Sequence, residues 1–517
     1  MSQADATQKV VDFTKAQFTA IVSDLHLCEE EPAHPKYPLW KKYKTRQFFF
    51  DEEFATFLKH IMKMAQDEPT ELILNGDIFD FDSCTQLPED PTYYISWLER
   101  RRGLHPQEEK SVFKIETILR DHSVWVAALR DFVLKGNRVV FTIGNHDLEL
   151  HFPGVQKAIL LALYLPQEKQ QQVRFNEWFY ISNGDTLVEH GNQYDPYCMF
   201  QDPVNPYILK HNRYEIRVPF GNLTTRYLIN GMGFFNPHLD ANYIMSPKQY
   251  VEFFFKYMAR AQPLLMISWL WGSTAALFQS FFDRLRPTIN DPLTIEDRID
   301  EIALKANATP RMVRELKELF VPPAASYPSI IAKELWLDRA FLILALLITL
   351  YVVFLQIDSV YNIAIWWALV PFFLFIPFFL FYSRSIQSTV QEFKEPREKT
   401  LSTAGLITKV SRIVYGHTHV VRHEVIGAIE HLNSGTWSPA FMDVECEKPV
   451  GQKTFVWIYP GDAGRDAKVY QIKSGVISEV FAAAGGKADR QKLEETARRW
   501  ADSFKSTKSS FGRDEAG

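Results

Sequence analysis

Glu71-Leu72-Ile73-Leu74-Asn75-Gly76-Asp77-Ile78-Phe79-Asp80 pairs an apolar run with a turn that presents a carboxylate. The run Glu71 to Leu74 predicts a strand, and Gly76-Asp77 lies at its carboxyl end. Four further stretches share this design. Gln17 to Val22 leads into Ser23-Asp24-Leu25-His26, and Arg138 to Ile143 into Gly144-Asn145-His146-Asp147. Thr186 to Val188 leads into Glu189-His190-Gly191, and Arg412 to Tyr415 into Gly416-His417-Thr418-His419. Ligand sites in α/β sheets gather at strand carboxyl ends, so five such motifs predict one shared site.

The residue types state the chemistry. Asp24, His26, Asp77, Asn145, His190, His417 and His419 offer oxygen and imidazole donors without a thiolate. That donor set suits Mn²⁺, Fe or Zn²⁺ and argues against a cysteine-based structural zinc site. Two ions about 3.5–4 Å apart can clamp the attacking and leaving oxygens of a phosphoryl transfer. Asp77 is the natural bridge, because each of its two oxygens can face one ion. Period-two spacing puts His417 and His419 on one side of the chain. Any motif taken singly reads equally well as a turn with a surface histidine.

Together the five resemble the calcineurin-like metallophosphoesterase superfamily, whose pattern is D-x-H, G-D-x-x-D/E, G-N-H-D/E, H-G and G-H-x-H. The resemblance covers roughly residues 17–198 and 405–475. It implies a four-layer α/β/β/α sandwich and metal-dependent hydrolysis of a phosphoric ester by activated water. It further implies a first ion on Asp24, His26, Asp77 and His419, and a second on Asp77, Asn145, His190 and His417. His146 would then assist the phosphoryl or leaving oxygen, with Asp147 and Asp80 orienting imidazoles or waters. The remaining nine histidines read as surface or packing residues, His211 being the one to watch as a substrate contact.

Composition sets the frame. At 517 residues the chain exceeds what one core normally fills. Cys28, Cys84, Cys198 and Cys446 show no paired spacing, which fits a reducing compartment. Met1 to Ala16 is polar, without the pattern of a signal peptide. The net charge is −5 and no basic stripe accompanies the aromatics, which argues against nucleic acid as substrate.

The departure from a compact phosphoesterase is the 227-residue separation of His190 from His417. Within it, Ala340 to Gln356 and Ile363 to Tyr382 are uncharged and apolar. With a crossing needing about 20 residues, they predict a transmembrane hairpin turning over Ile357 to Asn362. Lys333, Arg339, Arg384 and Lys394 flank it, while the turn holds only Asp358. The positive-inside rule then places both ends, and the catalytic domain, on the cytoplasmic side of the inner or plasma membrane. A third stretch, Leu264 to Phe282, would make the crossings between His190 and His417 odd in number, although both must meet on one side. A weaker fourth crossing around Tyr250 to Met258 would restore parity, but Lys256 and the short apolar run argue against it. Leu264 to Phe282 therefore reads as an interfacial or re-entrant helix between basic flanks.

The expected organisation follows. A first phosphoesterase segment (17–198) precedes a helical insert (199–404) holding the interfacial helix (264–282) and the hairpin (340–356, 363–382). A second segment (405–475) precedes a helix and polar tail (476–517). Within the insert, Thr294 reads as the cap of a helix to Lys305 and Thr309-Pro310 as the start of another, together a lid or spacer. Arg213, Arg217 and Arg226 are candidate phosphate contacts. An apolar insert between the same two ligand motifs gives a distant resemblance to UDP-2,3-diacylglucosamine hydrolase, implying a lipid-linked pyrophosphate substrate and contact with membrane lipid. A soluble nucleotide or phosphoprotein substrate remains as an alternative, as does a non-catalytic membrane scaffold. The former predicts turnover indifferent to acyl chains. The latter predicts missing ligands, and no ligand of the pattern is missing.

Overall fold

The computed structural model describes residues 11–480 apart from 201, 211, 235, 237–250, 287–291, 363, 386–397, 450–451, 463 and 474. The first segment runs β1 (Phe18–Val22), α1 (Asp51–Met64), β2 (Thr70–Asn75), α2 (Trp97–Arg102), α3 (Glu108–Asp121), α4 (Ser123–Leu134), β3 (Arg138–Thr142), α5 (Pro153–Ala162), α6 (Gln167–Gln170), β4 (Val173–Asn176), β5 (Phe179–Ser182) and β6 (Thr186–Glu189). The middle of the chain carries β7 (Tyr207–Lys210), β8 (Arg213–Ile216), α7 (Phe220–Tyr227), α8 (Leu265–Leu285), α9 (Pro292–Lys305), α10 (Pro310–Lys317), α11 (Pro328–Glu334), α12 (Leu337–Tyr361) and α13 (Leu369–Ser385). The last part supplies α14 (Glu398–Thr408), β9 (Arg412–Tyr415), β10 (Arg422–Ile426), β11 (Ile429–Asn433), β12 (Thr454–Gly461), β13 (Gly464–Lys473) and β14 (Val476–Glu479).

Two sheets stack. One has the order β14-β13-β12-β1-β2-β3-β4 and the other β10-β11-β9-β6-β5. Strands β1 to β4 pair in parallel, as do β6, β9 and β11, so the motif-bearing ends of each sheet point one way. Ile21, Ile73 and Val140 of the first sheet meet Val188, Val414 and Leu432 of the second in a core between the sheets. A second core joins the first sheet to α1, α3, α4 and α5, through Phe54, Phe57, Ile115, Trp125 and Val155. A third covers the outer face of the other sheet. Three cores separate four layers, α/β/β/α.

That third core corrects the reading of α9 and α10 as a lid. Ile299, Ile302, Ala303, Ala306, Val313 and Leu316 pack on Leu187, Ile413 and Ile429, with Leu401 and Ala404 of α14. A five-stranded sheet buries both faces only if more than α14 covers its outside, and these amphipathic helices supply the cover. The helix α9 begins at Pro292, two residues ahead of the expected cap at Thr294, whereas Thr309 Oγ1 does cap α10 by accepting from Met312 N–H at 3.3 Å.

The apolar insert differs from the expected hairpin in detail. Helix α12 spans 25 residues, about 37 Å at 1.5 Å per residue; Leu337 at its start is buried, but its most apolar 18-residue window has no buried residue. It continues through Asp358 to Tyr361 and stops at Asn362, whose φ of 47° suits a left-handed cap. The second stretch is broken: residues Ile365–Ala368 form a 3₁₀ turn before the 17-residue α13. Among the described helices, α12 alone is long and apolar enough to cross a membrane. Helix α8 is 21 residues long and packs sideways on α7. A Cβ at Gly272 would lie 2.6 Å from the Tyr227 carbonyl, so only glycine allows this approach. His211, residues 237–250 and the expected carboxyl-terminal helix lie outside the described residues.

A buried ion pair fixes the wall of the site. Glu29 receives Lys44 Nζ at 3.1 Å, Thr85 N–H at 2.7 Å and Gln86 N–H at 2.8 Å, and both ionic side chains are fully buried. Burial pushes the Glu29 carboxyl up, but Lys44 and these donors outweigh it and bring its pKa down to about 2. Replacing Glu29 with alanine strands the Lys44 ammonium, and denaturant unfolding should show a loss of about 3–5 kcal/mol. Because the folded value lies below the ordinary 4.5, this stabilisation is complete above pH 4.5 and disappears as pH falls towards 2. Glu29→Gln should flatten the acid limb of the stability curve in that window.

Candidate metal centre

The loops after β1 and β2 stay paired beyond the strands. Asp24 N–H donates to Gly76 O at 3.1 Å, His26 N–H to Asp77 O at 2.9 Å and Leu27 N–H to Ile78 O at 2.9 Å. The second sheet is tied on through His190, whose Nδ1 lies 2.9 Å from Asn75 O, and through Gly416 N–H, which donates to His190 O at 2.9 Å. The loop after β11 closes over β1, where Trp437 and Ser438 N–H both donate to Asp24 O at 3.1 Å. Gly76 sits at φ +75°, and a Cβ there would lie 2.5 Å from the His190 ring.

This framework gathers the candidate ligands into two adjoining clusters. Donor atoms of Asp24, His26 and His419 lie within 4.8 Å of one another, and so do those of Asp77, His190 and His417. In the first, His26 Nε2 is 3.2 Å from His419 Nε2, which is itself 3.2 Å from Asp24 Oδ1. Asp77 joins the two: its Oδ2 is 3.1 Å from His190 Nε2 and 3.9 Å from His26 Nε2. The other oxygen, Oδ1, accepts the His146 N–H at 2.7 Å. A single oxygen of Asp77 therefore faces both clusters, rather than one oxygen facing each.

The donors suit divalent cations. His190 spends Nδ1 on the Asn75 carbonyl, which leaves Nε2 buried without a hydrogen bond among the described residues. Asn145 Oδ1 is buried without a hydrogen bond in the same way, although its amide nitrogen reaches Asn222 Oδ1 at 3.3 Å. Buried polar atoms left in this state are costly unless something else satisfies them. Burial opposes ionisation of Asp77, yet the His190 and His146 imidazoles hold its carboxyl well below the ordinary carboxylate range. Against the same burial, Asp77 and Asp24 raise His190 to about 9. Carboxylates and imidazoles packed this densely form a ready receptor for positive charge. Asp24, His26, Asp77, His417 and His419 all adopt positive φ, between 50° and 66°, so five of the seven candidate ligands sit on left-handed backbone.

His146 lies beside the first cluster, its ring 4.9 Å from that of His26. Its Nδ1 is 3.3 Å from Asp80 Oδ1, and Asp80 is in turn fixed by Ser83 N–H at 2.9 Å. Asp80 thus stands against an imidazole. Asp147 does something else. It accepts Gly144 N–H at 2.6 Å and Ile78 N–H at 2.8 Å, locking two ligand loops together through their backbones with no imidazole involved.

Four functional neighbours escaped the motifs. Asp195 Oδ2 is 3.0 Å from His417 Nε2, so Nδ1 is the ring atom that would reach a cation. Asn222 on α7 donates to Asn145 O at 2.7 Å and to Asp82 Oδ2 at 2.5 Å, while Arg226 one turn on pairs with Asp82 at 3.0 Å. Burial raises the Asp82 carboxyl to about 6 against the pull of Arg226. The three arginines considered as phosphate contacts are engaged elsewhere. Arg226 is buried on Asp82, Arg217 donates to Arg286 O at 2.8 Å, and Arg213 faces Glu109 at the surface. No motif spacing marks Asn222, whose role depends on how α7 docks.

Asn222→Ala should therefore weaken binding of one of two Mn²⁺ ions by about 10–100-fold in calorimetry. Binding at the cluster of Asp24, His26 and His419 should be unchanged.

Comparison with known families agrees with this geometry. The family model described as calcineurin-like phosphoesterase matches residues 19–227, a span that contains the first four motifs and reaches the end of α7. A search of curated proteins finds no match. With the fifth motif brought into the same site by β9, the chain carries a calcineurin-like phosphoesterase domain and, like members of that family, is a metal-dependent phosphoric ester hydrolase.

Proposed function

We propose that the protein is a membrane-anchored phosphoesterase that uses two ions, Mn²⁺ foremost, to hydrolyse a phosphoester or pyrophosphate on a lipid-linked substrate such as UDP-2,3-diacylglucosamine. The observation that carries the two-ion reading is Asp77 Oδ2, within 4 Å of an imidazole from each cluster. Asp24, His26, Asp77 and His419 would hold one ion, and Asp77, Asn145, His190 and His417 the other. When bound, the pair supplies Lewis-acid stabilisation of the phosphoryl oxygens and a water acidified for attack.

The protein's own groups do the rest. Against the opposing effect of burial, Asp77 and Asp80 raise His146 to about 10. With Nδ1–H on Asp80, the imidazolium still has Nε2–H to give to the departing oxygen as the water oxygen, its proton lost to solvent, bonds to phosphorus and the ester P–O bond breaks. Asp195 fixes the His417 ring, and Asp147 keeps the Gly144 and Ile78 loops at one separation. The lipid reading rests on the insert. Helix α12 offers a span with an uncovered apolar surface, and α8, one helix removed from Asn145, exposes Leu264, Ile267, Phe278 and Phe282. In this reading α12 and α13 anchor the chain in the inner or plasma membrane, α8 lies at its surface, and the catalytic domain faces the cytoplasm.

Hydrolysis of UDP-2,3-diacylglucosamine and of its unacylated counterpart by the purified, Mn²⁺-loaded full chain tests the substrate. The acylated compound should be strongly preferred. Equal turnover, or none of either, would reduce the insert to an anchor and favour soluble nucleotides or phosphoproteins. In the same assay Asp77→Asn should abolish turnover and lower bound metal from two equivalents. His146→Ala should cost about 10²–10⁴ in kcat with metal content unchanged. Full activity in both variants would contradict the proposed mechanism outright.

A further inference from the structure

Helix α2 belongs to the catalytic domain, far in sequence from the apolar insert, yet it carries an exposed aromatic and basic surface. A reciprocal cap anchors it. Ser96 Oγ accepts Glu99 N–H at 3.3 Å, and the Glu99 carboxylate accepts Ser96 N–H at 2.8 Å. The one acid of the helix is thereby turned inward, where it also meets Lys110 and His105 N–H. Outside remain Trp97, 56% exposed, and, just before the helix, Tyr94, 79% exposed, together with Arg100 and Arg101.

Arginines at a helix carboxyl end complement its dipole, but here their surroundings ask for more. Among the described residues none of Arg100, Arg101 and Arg102 pairs with a carboxylate. Arg101 instead lies 4.6 Å over the Trp97 ring and Arg102 5.2 Å over Trp271 of α8. Trp97 and Trp271 meet edge to face at 5.8 Å, so α2 is joined directly to α8. Along α8 the outer side continues as an apolar ridge of Leu264, Ile267, Leu270, Phe278, Phe281 and Leu285. Helix α8 also touches the base of α12. An apolar ridge bordered by indole rings and then by unpaired guanidinium groups matches the layers of a bilayer surface, from acyl chain to headgroup to phosphate.

We propose that α2 is a docking surface for anionic phospholipid headgroups, with Trp97 and Tyr94 in the interfacial layer and Arg100 and Arg101 on lipid phosphates. The inference rests on the membrane reading above and adds a second hold on the bilayer, contributed by the catalytic domain itself. It draws the site down against the surface and stops the domain from swinging on α12 alone.

Hydrogen exchange of the full chain in nanodiscs tests this. Discs of phosphatidylcholine alone are compared with discs containing phosphatidylglycerol, beside detergent micelles. Residues 94–102 should exchange at least about threefold more slowly in the anionic discs, and the protection should fade near 0.5 M salt. R100E/R101E should remove that protection and leave 265–285 and the thermal unfolding midpoint unchanged. Equal exchange of 94–102 in all three environments overturns the docking surface. Equal protection in both kinds of disc overturns the recognition of anionic lipid. If the chain does not enter discs, or 337–361 exchanges there as an aqueous helix does, the membrane reading itself falls and α2 with it.

Discussion

Everything at the centre of this molecule is arranged around one carboxylate. Asp77 is fully buried, gives Oδ1 to the His146 backbone and turns Oδ2 towards imidazoles from both sheets. A buried anion is expensive unless surrounded by compensating positive charge or donors. Here the compensation comes from His26, His146 and His190, which are far apart in sequence. The carboxylate therefore couples the two sheets electrostatically at the point where their loops converge.

The same point collects backbone strain. Five candidate ligands occupy left-handed conformations that ordinary residues avoid, each at a cost of about 1–3 kcal/mol. The neighbouring hydrogen bonds show how the strain is held. The Asp24 and His26 amides donate across to the β2 loop, Asp24 O accepts two amides from the 437–438 stretch, and His417 N–H donates to Asp24 Oδ2 at 3.0 Å. Loops so tightly cross-braced present their side chains in fixed positions, which is what coordination of two closely spaced ions demands.

Much of this was legible in the sequence because the signals are local. The strands before Asp24, Asp77, Asn145, His190 and His417 announce themselves as apolar runs, and their ligands follow within a few residues. What was not legible depends on docking. Asp195, Asn222, Asp82 and Arg226 hold ligands or the residues beside them, but nothing in their spacing distinguishes them from ordinary polar residues. Helices α9 and α10 show amphipathic patterns, yet a pattern does not say which sheet it covers. The uncharged stretch stops at Gln356, but helix α12 continues to Tyr361 and takes in Asp358. In the helix it lies one turn from the Asn362 cap and its carbonyl accepts the Asn362 N–H at 2.9 Å.

Strand β9 is a central strand of its sheet, with β6 on one side and β11 on the other, and β12 lies against β1 in the first sheet. Both sheets thus have an interior position that the chain fills only after α8 to α13 have been made. A nascent chain already displaying His26, Asp77 and His190 still lacks two imidazoles and the strands that would draw its loops together. Synthesis order thereby acts as a safeguard. The two sheets cannot be completed until the apolar segments have left the ribosome.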